Sequence, residues 1–230
     1  MQRPALARRL LRGAAAALLS AGLLQTTLPA FSGERGPEAG RFEFYVLSLS
    51  WSPSYCAVEG IDANRRQCEG PRPYAFIVHG LWPQYEHGYP EFCPGPGPDR
   101  VPDRLVDAYL DIMPSPGLIG HQWRKHGSCS GLSQADYLAL ARAARERIVV
   151  PEEFSRLDEP QMISPRILEE RFIAANEGLS LDGIAVTCGR RYLREVRICL
   201  TRDLQFRACP QVDRNACRLD RTLMPPIRGE

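Results

Sequence analysis

Eight cysteines, Cys56, Cys68, Cys93, Cys129, Cys188, Cys199, Cys209 and Cys217, constrain this chain more tightly than any other feature. An even number of this size suits four disulfides formed in an oxidising compartment. The competing use is a metal cluster, but zinc-binding cysteines come in pairs with roughly two to four residues between them. No two cysteines here stand that close. Eight thiols allow on the order of a hundred pairings, and spacing alone leaves the choice among them open.

The N-terminus agrees with export. Residues 1–32 hold Arg3, Arg8, Arg9 and Arg12 and no acid, followed by an apolar run over 13–24 and the small residues Ala30 and Ser32. That order reads as a secretory signal peptide cleaved after Ala30 or Ser32, with 33–230 as the mature domain. An uncleaved amphipathic anchor and a twin-arginine signal, suggested by Arg8-Arg9, are the rival readings. The apolar run is about a dozen residues, too short to cross a bilayer unaided. No later segment is apolar enough either, so the expected product is free of stable membrane association and resides in the periplasm or outside the cell. The formal charge of +2 belongs to the leader: without its arginines the balance is 25 basic against 27 acidic residues. Affinity for a polyanion must therefore come from a local cluster of cations.

The pattern predicts strands over 41–50 and 74–78, the second ending at His79-Gly80, then a Pro/Gly/Tyr-rich loop over 83–102. Helices are expected over 103–112, over 118–126 with Gly127 as its stop, over 133–149 capped by Ser133, and from Pro165 to about residue 176. Strands return over 183–210. No repeat or linker interrupts this order. It predicts one α+β domain with a mainly antiparallel sheet flanked by helices and stapled by disulfides.

Chemistry-bearing residues gather in two stretches. The first is Phe76-Ile-Val-His79-Gly80-Leu81-Trp82-Pro83, where a histidine leaves a buried strand. The second is His121-Gln122-Trp123-Arg124-Lys125-His126-Gly127-Ser128-Cys129. On a helix turning about 100° per residue, His121, Lys125, Gln122 and His126 fall within about 140° of one another, with Trp123 and Arg124 opposite. A solvated polar face is the bland account of such a run. Against it, three of the four histidines lie in these two stretches, and Lys125 is the only lysine among 29 basic residues. A compact ammonium and a guanidinium fork are not interchangeable at a site. The histidines are five apart, which is not the HExxH arrangement of a zinc hydrolase.

These two stretches resemble the active-site segments of the ribonuclease T2 family. The first is similar to its HGLWP pattern, the second to H-E-W-x-K-H-G-T-C with Gln122 and Ser128 as substitutions. Trp51-Ser-Pro-Ser-Tyr-Cys56 is similar to an early W-x-P-x-x-C element. The resemblance implies an endoribonuclease whose products pass through a 2′,3′-cyclic phosphate to 3′-phosphate ends, without metal or other cofactor and with no obligate protein partner. By the same implication His126 is the base that deprotonates the ribose 2′-hydroxyl and His79 the acid that protonates the departing 5′-oxygen. His121 and Lys125 would hold phosphate oxygens, and Trp82 would stack on a base, with Tyr85 or Tyr89 beside it. DNA, lacking the 2′-hydroxyl, would not be cut. Implied disulfides are Cys93–Cys129, Cys188–Cys217 and Cys199–Cys209, leaving Cys56–Cys68.

Two of the departures from the pattern bear on function. Gln122 stands where the family has Glu, and Gln84 where many members have an Asp associated with base recognition. The first departure favours a second reading, a catalytically weak module that binds RNA or a protein; a histidine-dependent metal hydrolase is a third.

Overall fold

Alternation along one central strand organises the structure. The computed structural model describes residues 37–95 and 97–228, so the expected signal segment lies outside the described residues. In chain order the elements are β1 (Phe44–Trp51), α1 (Ser52–Glu59), α2 (Arg65–Cys68), β2 (Phe76–Gln84), α3 (Asp103–Asp107), α4 (Pro116–Lys125), α5 (Gln134–Glu146), β3 (Gln161–Ile163), α6 (Pro165–Ala175), β4 (Ile184–Gly189), β5 (Tyr192–Leu200), α7 (Pro210–Asp213) and β6 (Thr222–Met224). The sheet runs β2-β1-β5-β6-β3, with β4 also paired to β5. Every pairing is antiparallel except a short parallel contact between β5 and β6. This is the expected α+β domain.

Successive residues of β1 point to opposite faces. Tyr45, Leu47, Leu49 and Trp51 enter the main core, where Ile119 and Trp123 of α4, Tyr137 and Leu138 of α5, and Leu168 and Phe172 of α6 meet them. Phe44 and Val46 face the other way into a small cluster with Ala185, Cys199, Cys209 and Val212. Ser48 and Ser50 continue that second face, and β5 brings Arg197 opposite Ser48 and Glu195 opposite Ser50.

Several boundaries differ from the sequence-based ones. The strand expected to stop at residue 78 runs on to Gln84, because a break in register between Ser48 and Leu49 of β1 absorbs one extra residue of β2. Only Asp103–Asp107 of the expected 103–112 helix is α-helical. Helix α4 begins two residues early, since the Ser115 side chain accepts a hydrogen bond from the Leu118 amide and Pro116 opens the helix. Gly127 does follow its end, but as the start of a 3₁₀ turn (Gly127–Ser130), not as a left-handed cap. A Cβ at Gly127 would lie 2.6 Å from Trp123 and 2.8 Å from Tyr137, so close packing explains this glycine. Helix α5 is capped by Ser133, as expected. All four disulfides pair as implied: Cys56–Cys68, Cys93–Cys129, Cys188–Cys217 and Cys199–Cys209.

Candidate active site

The register break in β2 is a β-bulge, and it aims the first motif. Val78 and Leu81 both lie in the main core although three residues separate them. The two residues between, His79 and Gly80, therefore share the opposite face, and Trp82 joins them there. Bulges commonly re-aim side chains beside active sites. His79 and Trp82 rings meet edge to face, with centroids 5.5 Å apart. Tyr137 fixes the strand just beyond the bulge, its hydroxyl donating to the Leu81 carbonyl at 2.8 Å.

Gly80 clears the space where the two motifs join. The Trp82 Nε1–H donates to Gln122 Oε1 at 2.7 Å. A Cβ on Gly80 would stand 2.1 Å from that oxygen and 2.2 Å from the indole nitrogen. Gln122 is 2% exposed, and its side-chain oxygen is engaged in placing Trp82.

Helix α4 delivers the rest of the second motif. His121, Gln122, Lys125 and His126 all line one cavity, as the helical wheel requires, while Trp123 is buried and Arg124 is exposed. His126 sits at the helix C-terminus between Trp82 and Tyr89, with centroid distances of 5.3 and 6.1 Å. Its Nδ1 is buried and makes no hydrogen bond among the described residues. Burial first, then the charges of Lys125, His121 and His79, push the His126 pKa down to about 3. His121 is shifted in the same direction by burial and then by Lys125, Arg124 and His79. Lys125 is paired with Glu91 at 3.3 Å, and its ammonium lies 6.0 Å from the Tyr89 ring centre.

His79 has a different setting. Its Nδ1 lies 2.5 Å from Glu195 Oε1, reached across β1 over the small residues Ser48 and Ser50. Arg197 donates to the other carboxylate oxygen at 2.9 and 2.6 Å. Burial raises the Glu195 pKa, but the His79 hydrogen bond and charge, together with Arg197, outweigh it and hold the carboxyl at about 2. An ionised carboxylate can only accept. Nδ1 of His79 therefore carries the proton, and Nε2 faces the cavity.

Two cavities flank these residues. One, about 680 Å³, is lined by Trp82, Gln84, Tyr89 and the α4 side chains. The other, about 870 Å³, extends along Ser50, Asn64, Gln67 and Tyr192. Volumes of this size suit a nucleotide-sized ligand.

Comparison with known proteins settles the family. The sequence profile of the ribonuclease T2 family matches residues 42–209. The chain belongs to that family. Membership makes it an endoribonuclease. A ribonuclease from Aeromonas hydrophila is 36% identical over 181 residues, covering 72% of this chain and 75% of that protein. Ribonuclease T2 from Sus scrofa is 27% identical over 204 residues, covering 79% of this chain and 96% of its own. Among solved structures, an RNase-related protein from Calystegia sepium superposes with a TM-score of 0.65 at 18% identity, covering 82% of this chain and 98% of its own. RNase NT in complex with 5′-AMP gives 0.57 at 20% identity, covering 80% and 98%. At such identities the structural likeness speaks for the fold.

Within this ribonuclease, the structure brings His79, His121, Gln122, Lys125, His126, Trp82 and Tyr89 to one cavity. Tyr85 is not among the residues lining it: its ring packs on the main core, and its carbonyl accepts from Gln211. Gln84, in place of the Asp of many members, lines the cavity but turns its amide to the Pro83 carbonyl at 3.0 Å. Glu195 and Arg197 were missed. Their signal is present in the sequence: two charges at i and i+2 within the apolar alternation of Val196, Ile198 and Leu200. Read alone, that pattern is a solvated strand face. Only the pairing with β1 shows that Glu195 is buried. Among the described residues no group of three or more His, Cys, Asp or Glu side chains is disposed to hold a metal ion, and no helix is long and apolar enough to cross a membrane.

Proposed function

We propose that this ribonuclease cleaves RNA by metal-independent transesterification, with His126 as general base, His79 as general acid and a 2′,3′-cyclic phosphate as the first product. One observation carries the reading: two imidazoles flank Trp82 in the same cavity in opposite electrostatic settings. His126 lies among cations in a buried pocket and is neutral above strongly acidic pH, as a base must be before it acts. His79 is backed by the Glu195 carboxylate, which accepts from Nδ1–H and turns Nε2 toward the cavity, where an acid must deliver its proton. Unequal environments divide acid from base in a pair of titratable groups. Removal of the 2′-proton by His126 frees that oxygen to attack phosphorus, and the proton on His79 Nε2 goes to the 5′-oxygen as the P–O bond breaks. The phosphate brought by the substrate adds negative charge beside His126 and favours its protonated form as it accepts the proton. His121 and Lys125 then face the non-bridging oxygens, provided Lys125 exchanges Glu91 for phosphate. Four disulfides and the N-terminal pattern support export to the periplasm or the exterior.

The test is cleavage of RNA and DNA side by side, with and without chelator, by the parent, His79→Ala and His126→Ala. Expected are cleavage of RNA alone, indifference to chelator, and losses of about a hundred- to ten-thousand-fold in each variant. Chelator-sensitive cleavage, or variants as fast as the parent, would overturn the mechanism. RNA binding without cleavage would make the chain a binding module.

A further inference from the structure

We infer that Arg194 binds the phosphodiester of the RNA chain at the junction of the two cavities, a role that rests on the ribonuclease reading above. The two cavities share four lining residues: His79, His121, Arg194 and Glu195. A phosphate joining two nucleosides, one in each cavity, passes over those four. Arg194 is the one permanent cation in the set.

A second bulge puts it there. The register between β4 and β5 shifts after the pair Thr187 and Glu195, so that Cys188 lies opposite Leu193. Leu193 and Val196 both enter the main core. Arg194 is the extra residue and turns out beside Glu195, where an unbroken strand would have turned it inward. Its aliphatic stem lies along Gly189, with Cδ at 3.2 Å from the position a Cβ would take.

Charge pairing singles it out further. Of the cations lining the smaller cavity, Lys125 is paired with Glu91 and Arg197 with Glu195. Among the described residues Arg194 makes no ion pair or side-chain hydrogen bond, and it is exposed. A guanidinium offers parallel N–H donors matched to two phosphate oxygens. Here it faces the reacting phosphate from the sheet side, opposite the α4 cations. The mature chain carries no excess of positive charge, so such a local cation must supply attraction that its overall charge does not.

The experiment measures binding of a 2′-deoxy dinucleoside monophosphate, which carries one phosphate and no nucleophile, and of its uncharged methylphosphonate analogue. The proteins are the parent, Arg194→Gln, Arg194→Lys and, as an exposed control that lines neither cavity, Arg104→Gln. Arg194→Gln should bind the charged ligand about 10- to 100-fold more weakly, as expected for a lost charge-assisted hydrogen bond. Arg194→Lys should recover part of the loss. The methylphosphonate should bind all four proteins alike, and Arg104→Gln should match the parent. Equal affinity of parent and Arg194→Gln for the charged ligand overturns the assignment; so does an equal loss for the neutral analogue or in Arg104→Gln. Cleavage of the ribose counterpart by the parent is scored separately, so a parent that binds without cutting sinks the enzymatic mechanism and leaves the Arg194 comparison intact.

Discussion

Acid should destabilise this protein specifically through His126. The imidazole is shifted from 6.5 to about 3, chiefly by burial. As pH falls below 6.5 the unfolded chain takes up a proton at this position while the folded one does not, so stability drops until the folded site titrates near 3. A displacement of that size corresponds to at most about 5 kcal/mol over the whole window, and to about 2 kcal/mol by pH 5. For a chain of this length, 2 kcal/mol corresponds to roughly 4–8 °C in Tm. Replacing His126 by Leu removes the titrating group from both states. Urea unfolding at pH 7, 6 and 5, disulfides intact, should show parent stability falling by about 2 kcal/mol more than that of His126→Leu. Glu195 also loses stability in acid, but its carboxyl is lowered from 4.5 to about 2, so its contribution disappears only between those values. Both proteins share it, and the comparison lies above its window. His121 shifts in the direction of His126 and is likewise common to both. Parallel pH dependence of parent and variant from 7 to 5 would refute the claim that His126 is held neutral by its site, and with it the ground for naming it the base.

Three further outcomes are expected. Gly80→Ala should cost roughly 1–3 kcal/mol in unfolding experiments, because the added methyl displaces the Trp82–Gln122 hydrogen bond, and should depress kcat; unchanged stability and activity would mean the contact yields freely. Cys93→Ser with Cys129→Ser opens a bridge spanning 36 residues, for about 3–4 kcal/mol of stability, and should reduce activity with it because the bridge joins the loop beside Tyr89 to the end of the second motif; thermal unfolding and RNA cleavage read both effects. Gln122→Glu keeps an acceptor for the Trp82 indole but adds negative charge one helical turn before His126, so the acid limb of the kcat/KM profile should move upward; superimposable profiles would count against any electrostatic role for this position.

Much of the site was legible because both motifs are local. Periodicity on one helix suffices to bring His121, Gln122, Lys125 and His126 to one face, and that arrangement depends on nothing outside residues 116–126. The helix order was legible for the same reason, whereas the antiparallel sheet, which joins strands far apart in sequence, was legible only as a class from the order of strands and helices. Strand ends were not, because the continuation of β2 past His79 depends on β1 offering partners as far as Phe44 opposite Gln84. Tyr85 shows the converse failure. An aromatic beside a site can stack on substrate or fill the core, and its own sequence neighbourhood does not distinguish the two.

The bulges mark where a reading by period fails in principle. Strict alternation through Ile77-Val-His79-Gly-Leu-Trp82 puts His79 with Leu81 and sends Trp82 to the face of Val78. One extra residue reverses the second half, so that Leu81 returns to the core and Trp82 comes to lie beside His79. In β5 the same device frees Arg194 while keeping Leu193 buried. Neither segment alone shows which residue is extra; the partner strand decides, by presenting one residue where two must fit. Glu195 depends on a third strand as well, since Ser48 and Ser50 leave room for His79 to reach it across β1 and Arg197 shares its charge. A buried carboxylate without both partners would be costly. Its position becomes reasonable only once three strands, far apart in sequence, lie side by side.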